Sequence, residues 1–186
     1  EWLDCDRAVH VLDRVMLVDV ADYHKIADGV KTRRAEGKIM TYILDQSDNK
    51  KAIAALVKSW TGKDIEDFSV NPHDRRIPVD ERVVPPLEEW LSGFADADFV
   101  VTDSFHGCVL AILFHKPFIA MGNGQRGMAR MRSLLEMFGL DQRLVHGIDP
   151  EDDGEFFLSQ PDWIAVDAVL AEHRAAARRF LADALK

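Results

Sequence analysis

Short apolar runs alternate with longer stretches of mixed polarity along most of this chain. The clearest runs are KIMTYIL at residues 38–44, FVVT at 99–102 and PFIAM at 117–121, and each has the length of a buried strand. Weaker strands are predicted at residues 64–70 and around 143–145. Five strands are therefore expected, separated by segments that are long enough to form helices.

Helices are predicted in the segments between these runs. Between residue 87 and about residue 95, apolar residues recur at the i, i+3, i+4 and i+7 spacing of one helical face. Residues 48–60 follow a polar turn that can cap a helix, and residues 106–115 are apolar nearly all round, which indicates a buried helix. An amphipathic helix ending near Phe138 and a long helix opened by Pro161 complete the pattern.

The alternation of strands and helices predicts an α/β fold, a Rossmann-like parallel sheet with helices on both faces. Ligands of such folds bind outside the carboxyl ends of the strands. The pattern changes near residues 34–38, which divides the chain into a connecting segment at residues 1–36 and a Rossmann-like domain at residues 37–186. Because the opening lacks Met and reads like the tail of a larger unit, we expect residues 1–36 to connect to a lobe upstream.

Composition and charge exclude several classes of protein. The 186 residues are 47% hydrophobic and 30% charged, as in soluble globular proteins, and the formal net charge of -9 argues against nucleic-acid binding. No apolar run approaches the roughly 20 residues that cross a bilayer, and the start has no signal-peptide pattern. Cys5 and Cys108 stand alone and far apart, so no disulfide framework and no metal site are predicted, and a cytoplasmic location is expected.

The strongest candidate site is FVVTDSFHG at residues 99–107. Asp103, Ser104 and His106 follow the carboxyl end of a strand, at the point where a buried helix begins. The helix amides up to Gly107 point outward there and favour an anion, and an imidazole can exchange protons near neutral pH. The structural alternative is that Asp103 or Ser104 caps the helix and that His106 satisfies a loop carbonyl.

A second candidate site is the basic stretch NGQRGMARMR at residues 123–132, after the next strand. Its glycines allow close backbone approach, and the planar fork of Arg126 or Arg130 suits the paired oxygens of a carboxylate or phosphate. The alternative is a solvated helix start in which Arg132 pairs with Glu136. Since the two candidate sites follow neighbouring strands, they can converge on one anionic ligand.

Other sequence signals for ligand binding are weaker. HDRR at residues 73–76 lies in a long loop, which is either functional or a solvated charged loop. No GxGxxG follows the first strand and no GxxxxGKS or GxxxxGKT occurs, so the dinucleotide and P-loop signatures are absent. The two strand-end sites therefore remain the principal candidates.

From about Leu12 to its end, the chain resembles the polysaccharide pyruvyl transferase family. The likeness is closest at residues 88–145, where ADFVVTDS and HG precede an apolar helix, the sequence KPF and a basic loop. TYILD at residues 41–45 is similar to the start of the same half of family members. The resemblance implies two Rossmann-like lobes in a glycosyltransferase-B-like (GT-B-like) arrangement, with this chain as the C-terminal, donor-binding lobe.

The resemblance also implies a reaction. Members transfer a pyruvyl group from phosphoenolpyruvate to sugar hydroxyls and form a ketal, in the biosynthesis of exopolysaccharides or cell-surface glycans. The expected partners are phosphoenolpyruvate, a sugar or lipid-linked oligosaccharide acceptor and the N-terminal lobe, with no cofactor besides the donor substrate. Because the other lobe would contact the acceptor, the chain alone is expected to be inactive.

The same resemblance implies roles for the motif residues. His106 matches the functional histidine of the family and is expected to be catalytic, while Arg126 falls where members carry a basic donor-binding residue. Many members have Arg two residues before that histidine, whereas this chain has Ser104, and Arg126 and Arg130 are expected to compensate. The complete expected donor site is Asp103, Ser104, Gly107, Arg126 and Arg130.

Two other interpretations of the sequence remain open. A GT-B-type lobe that uses a nucleotide-sugar donor would place a diphosphate at the same strand ends. A non-catalytic binding module would keep the fold after losing the site, which is consistent with Ser104. The ligand that binds, whether phosphoenolpyruvate, a nucleotide sugar or neither, separates the three interpretations.

Overall fold

The computed structural model describes residues 11–69, 78, 85–122 and 128–185. Its strands are β1 (Ile39–Tyr42), β2 (Ile65–Asp67), β3 (Phe99–Thr102), β4 (Phe118–Met121) and β5 (Leu144–Val145). They form one sheet in the order β2-β1-β3-β4-β5, and each neighbouring pair is parallel. The predicted α/β class and the five predicted strands are confirmed.

Helices connect the strands and follow the last one. They are α1 (Val20–Ala27), α2 (Asp48–Thr61), α3 (Leu87–Asp96), α4 (Phe105–Leu113), α5 (Met128–Met137), α6 (Glu155–Leu158) and α7 (Trp163–Ala184). Short 3-10 turns lie at Arg14–Leu17 and Asp141–Arg143. Within the described ranges, none of the helices is long and apolar enough to cross a membrane.

Several elements are shorter than the sequence pattern predicts: β2 spans Ile65–Asp67 within the predicted residues 64–70, and the ends of β1 and α4 have clear structural causes. The apolar run that contains β1 was expected to be strand throughout, but the N–H groups of Leu44 and Asp45 donate to the Asp103 carboxylate instead of a neighbouring strand. The helix predicted at residues 106–115 ends before His115, whose backbone turns at a φ of 51° to enter β4. In both places a local turn replaces the regular element that the apolar pattern favours.

The helices cover both faces of the sheet, as expected. On one face, α3, α4, α5 and α7 pack on strand residues such as Met40 and Val100, with Phe94 among the fully buried side chains. On the other face, α2 and α6 pack on residues such as Val101, and Val57 of α2 is fully buried there. The residues of α4 after its first two positions are all buried, as its uniformly apolar sequence predicts.

The described part of residues 1–36 packs on the same domain. Leu12, Met16, Ala27 and Ala35 are buried in the core cluster that contains α3 and α4. Helix α1 lies against α3. This part of the chain therefore stabilises the domain by burying apolar surface, while its connection to another lobe stays a prediction.

Candidate functional site

The order of the strands predicts the point at the carboxyl edge of the sheet where a ligand binds. The chain passes from β1 outward to β2 and then returns to β3 on the other side of β1, so the direction of winding changes between β1 and β3. Ligands of open parallel sheets bind at such a point. Asp103 and Ser104 follow β3 directly and lead into α4, which places the DSFHG sequence at that point of the sheet edge.

The Asp103 carboxylate is buried and fully engaged by protein donors. Its side chain is 0% exposed, and its Oδ2 atom lies 2.6 Å from Nζ of Lys50 on α2. Its oxygens also accept the N–H groups of Leu44 at 2.6 Å and Asp45 at 3.0 Å. Asp103 thus ties the ends of β1 and β3 to the start of α2, and a direct contact with a donor substrate stays a prediction.

Ser104 and Gly107 shape the first turn of α4. The Ser104 hydroxyl accepts the N–H of Gly107 at 3.3 Å, which is the capping role of the structural alternative. A Cβ atom on Gly107 would lie 2.2 Å from Oγ1 of Thr102, so only glycine allows α4 to approach β3 this closely. The Gly107 amide therefore has a protein acceptor, and a donor-binding role for these two residues stays a prediction.

His106 is the exposed member of the motif. It is the second residue of α4, and its side chain is 47% exposed. Its Nε2 atom lies 3.8 Å from Oδ1 of Asp13, and its ring meets that of Phe105 edge-on with centroids 5.3 Å apart. An accessible imidazole beside a carboxylate can exchange protons with a bound ligand.

Arg130 extends from α5 to the same carboxylate. Its Nη2 atom lies 3.4 Å from Oδ2 of Asp13, and its guanidinium carbon lies 4.2 Å from the centroid of the Phe105 ring. His106 and Arg130, which sequence analysis assigned to two neighbouring strand ends, thus contact the same two residues. Arg126 and residues 73–76 lie outside the described residues.

A cavity of about 420 Å³ lies beside this group of side chains. Most of the residues that line it are apolar, and Asp13, Arg130 and Ser133 contribute polar groups. The other lining residues are Val11, Leu12, Phe105, Ala129, Leu134 and Met137. A small ligand with one apolar side and one anionic side fits such a lining.

Asp13 is the member of the site that sequence analysis does not identify. Its local signal is that of a cap, because Oδ1 accepts the N–H of Val15 at the start of a 3-10 turn. Nothing in the neighbouring sequence indicates contacts with His106 and Arg130, which lie far along the chain. Asp13 also falls within the segment that was predicted to be connective.

Cys108 does not supply a nucleophile, although it is close to His106 in sequence. The thiol is buried, and burial, followed by the nearby Asp103 charge, raises its pKa well above its ordinary value. It therefore stays protonated near neutral pH. In the described part of the chain, no three His, Cys, Asp or Glu side chains are grouped so that they could hold a metal ion.

Comparison with known proteins relates the chain to one family. The family model described as polysaccharide pyruvyl transferase matches residues 3–125, which is more than half of the 186 residues. The matched interval contains Asp13, Asp103 and His106 and ends before Arg126 and Arg130. Neither the curated proteins nor the solved structures include a match to this chain.

Proposed function

Because the chain belongs to the polysaccharide pyruvyl transferase family, we propose that it transfers a pyruvyl group from phosphoenolpyruvate to hydroxyls of a sugar acceptor. The observation that carries this proposal is the meeting of His106 and Arg130 around Asp13 at the carboxyl edge of the sheet. One side chain can handle a proton and the other can bind an anion. Pyruvyl transfer from an anionic enol phosphate requires both.

Arg130 is suited to bind the donor's carboxylate or phosphate. Its side chain is 63% exposed, and its contact with Asp13 involves only Nη2, at 3.4 Å. Nη2 carries a second N–H outside that contact, and together with the neighbouring N–H of Nε or Nη1 it can form the paired hydrogen bonds that a planar guanidinium makes with two anionic oxygens. Arg126 is the second expected donor-binding arginine.

His106 is suited to protonate the methylene carbon of phosphoenolpyruvate. That step converts CH2 to CH3 and makes C2 electrophilic, and an oxygen of the acceptor then bonds to C2. The bond between C2 and the phosphate oxygen breaks, and a second acceptor hydroxyl closes the ketal. One hydroxyl proton restores the imidazolium and the other leaves with inorganic phosphate, so the atoms balance.

The class of acceptor and the cellular compartment follow from the proposed reaction. A ketal at one carbon needs two hydroxyls on one sugar, as in the repeating units of exopolysaccharides and cell-surface glycans. A lipid-linked oligosaccharide offers the same pair of hydroxyls. Since the donor is a soluble cytoplasmic metabolite, the reaction is assigned to the cytoplasm, and phosphoenolpyruvate is a substrate rather than a resident cofactor.

Donor binding tests this proposal. Calorimetric titration of the full-length protein with phosphoenolpyruvate should show saturable binding, and Arg130→Ala should weaken the affinity roughly 10- to 100-fold, because it removes charge-assisted hydrogen bonds of about 1.5–3 kcal/mol. Arg132→Ala is the matched control. Arg132 is an exposed arginine on the same helix without a contact to Asp13, and its loss should change the affinity less than twofold.

Parallel titrations with nucleotide sugars separate the alternatives. Binding of a nucleotide sugar without binding of phosphoenolpyruvate would replace the proposal with a glycosyltransferase. Binding of neither ligand would indicate a non-catalytic module. Equal losses of affinity in Arg130→Ala and Arg132→Ala would remove Arg130 from the donor site.

A further inference from the structure

Asp13 is held in place by hydrogen bonds within its own segment and by the burial of neighbouring residues. Its Oδ1 atom accepts the N–H of Val15 at 3.0 Å, and its backbone carbonyl accepts the N–H of Met16 at 2.9 Å. Only 17% of its side chain is exposed. Its neighbours Leu12 and Met16 are 5% and 0% exposed, so the backbone on both sides of Asp13 is anchored in the core.

Side chains from α1 and α7 hold the turn that follows Asp13. The Tyr23 hydroxyl donates to the Val15 carbonyl at 2.9 Å, and burial, followed by the Asp13 charge, raises the pKa of Tyr23, which keeps it a hydroxyl donor. Two arginines of α7 bind the next carbonyls. Arg174 donates to Met16 and Val18, and Arg178 donates to Leu17. Asp13 therefore projects from a rigid support.

His106 and Arg130 are much less constrained than Asp13. Their side chains are 47% and 63% exposed, and they come from different helices. Exposed long side chains populate many rotamers, and ordering them costs conformational entropy. Both side chains contact Asp13 and the Phe105 ring.

We propose that Asp13 is a positioning residue, which orients the His106 imidazole and the Arg130 guanidinium toward one bound donor. This inference rests on the proposed function. The two contacts, at 3.8 and 3.4 Å, are longer than direct charge-assisted hydrogen bonds, and the two cations stay accessible. Asp13 thus fixes their direction without withdrawing them from a ligand.

A carboxylate with no positioning role would have a different effect on the reaction. Its negative charge would only repel an anionic donor, and removing it would tighten donor binding without slowing the chemical step. A positioning carboxylate is instead needed for correct geometry in the transition state, so its loss lowers kcat. The two roles therefore differ in how kcat and donor affinity change together.

Asp13→Asn in the full-length protein separates these effects. The amide oxygen keeps the bond to the Val15 N–H and the shape of the side chain, while the charge is lost. We expect kcat for pyruvyl transfer to fall at least 10-fold and the Kd of phosphoenolpyruvate to change by a smaller factor, because losing the orientation of Arg130 and losing the repulsion by Asp13 affect Kd in opposite directions. Turnover within twofold of the wild type would overturn the positioning role.

Asp19→Asn is the matched control for loss of a helix-capping carboxylate. Asp19 caps α1 through a bond to the Ala21 N–H at 2.9 Å, six residues after Asp13 on the same segment. The Asp19 variant should keep kcat and Kd within twofold of the wild type. If it loses as much turnover as Asp13→Asn, the effect belongs to the stability of the segment and the proposal fails.

A structural measurement keeps this test separate from the proposed reaction. In histidine- and phenylalanine-labelled protein, NMR should show a cross-ring contact between His106 and Phe105 that weakens in Asp13→Asn and persists in Asp19→Asn. An unchanged contact in Asp13→Asn would overturn the positioning role. If the wild type binds no phosphoenolpyruvate, the proposed function fails, and this contact still decides whether Asp13 orients His106.

Discussion

His106 differs from Asp103, Ser104 and Gly107 of its motif because its side chain is exposed while those three residues are buried. Asp103 and Ser104 are 6% and 5% exposed. Asp103 forms an ion pair with Lys50 on α2, and Ser104 caps α4. The imidazole extends outward from this rigid base, next to the half-buried Phe105 ring. A proton-transfer group on a fixed backbone can meet a ligand with little loss of conformational entropy.

Replacing His106 by Ala should therefore reduce turnover without unfolding the protein. We expect kcat for ketal formation to fall about 100- to 10,000-fold, the usual contribution of a positioned acid or base. Phosphate release from phosphoenolpyruvate in the presence of acceptor measures the rate, and circular dichroism checks the fold. His173→Ala, on α7 and outside this contact network, should retain normal turnover. Near-normal turnover in His106→Ala would end the catalytic assignment.

Ser104 departs from the residue that the family resemblance implies. The resemblance implies an arginine at this position in many members of the family. Here the side chain is buried and its hydroxyl caps α4, so the position provides no charge. Arg130 contacts Asp13 from α5, beyond the interval that the family model matches, and its compensation for Ser104 stays a prediction.

The Asp103–Lys50 pair joins three elements of the fold, β1, β3 and α2. Lys50 lies in the first turn of α2, and its Nζ atom donates both to the Asp103 carboxylate and to the Asp45 carbonyl. Asp103 in turn holds the turn after β1. The carboxyl ends of β1 and β3, where the direction of winding changes, are thus fixed by one buried ion pair.

Asp103→Asn should destabilise the fold, because it leaves the Lys50 ammonium buried without its counter-charge. Breaking one partner of a buried pair costs about 3 kcal/mol or more, which urea unfolding can measure. Adding Lys50→Met should recover part of that loss. The exposed Lys58–Asp64 pair is the control, since Asp64→Asn should leave the urea midpoint almost unchanged. Equal effects of the two substitutions would contradict the structural role of Asp103.

At the scale of the whole molecule, ion pairs at the amino edge of the sheet join the N-terminal segment to the strands. Glu66 on β2 accepts hydrogen bonds from Arg34 and Lys38. Burial acts to raise the pKa of Glu66, but these two cations outweigh it and hold the pKa below its ordinary value. The ionised carboxylate therefore stabilises the folded chain.

The lowered pKa of Glu66 gives the stability of this protein a pH dependence in the acid range. Its contribution is present above the ordinary glutamate pKa near 4.5 and is lost as the pH falls through the lower folded value. Glu66→Gln should therefore be less stable than the wild type at neutral pH, with the difference vanishing in acid. Urea unfolding at several pH values measures this difference.

Comparing variants at each pH removes the general effect of the net charge of -9, which declines in acid for every variant. Glu172→Gln, an exposed position on α7, should show no such pH-dependent difference. A difference between Glu66→Gln and the wild type that stays constant down to strongly acidic pH would contradict the assignment.

The sequence by itself determined the fold class, the order of the elements and the position of His106 at a strand end. These features depend on local patterns, because apolar periodicity and capping residues act over a few positions. The predicted ends of β1 and α4 differ from the observed ones. The bonds to Asp103 and the turn at His115 that set these ends depend on groups outside each local pattern.

The tertiary structure alone decided which residues share the site. The sequence allows Asp103 to be either a helix cap or a donor-binding residue. In the fold it is the buried ion-pair partner of Lys50, 53 residues earlier in the chain. Asp13 looked like part of a connection, and the fold brought it to Arg130, 117 residues later. Contacts over such separations depend on how whole helices pack on the sheet, which no local pattern encodes.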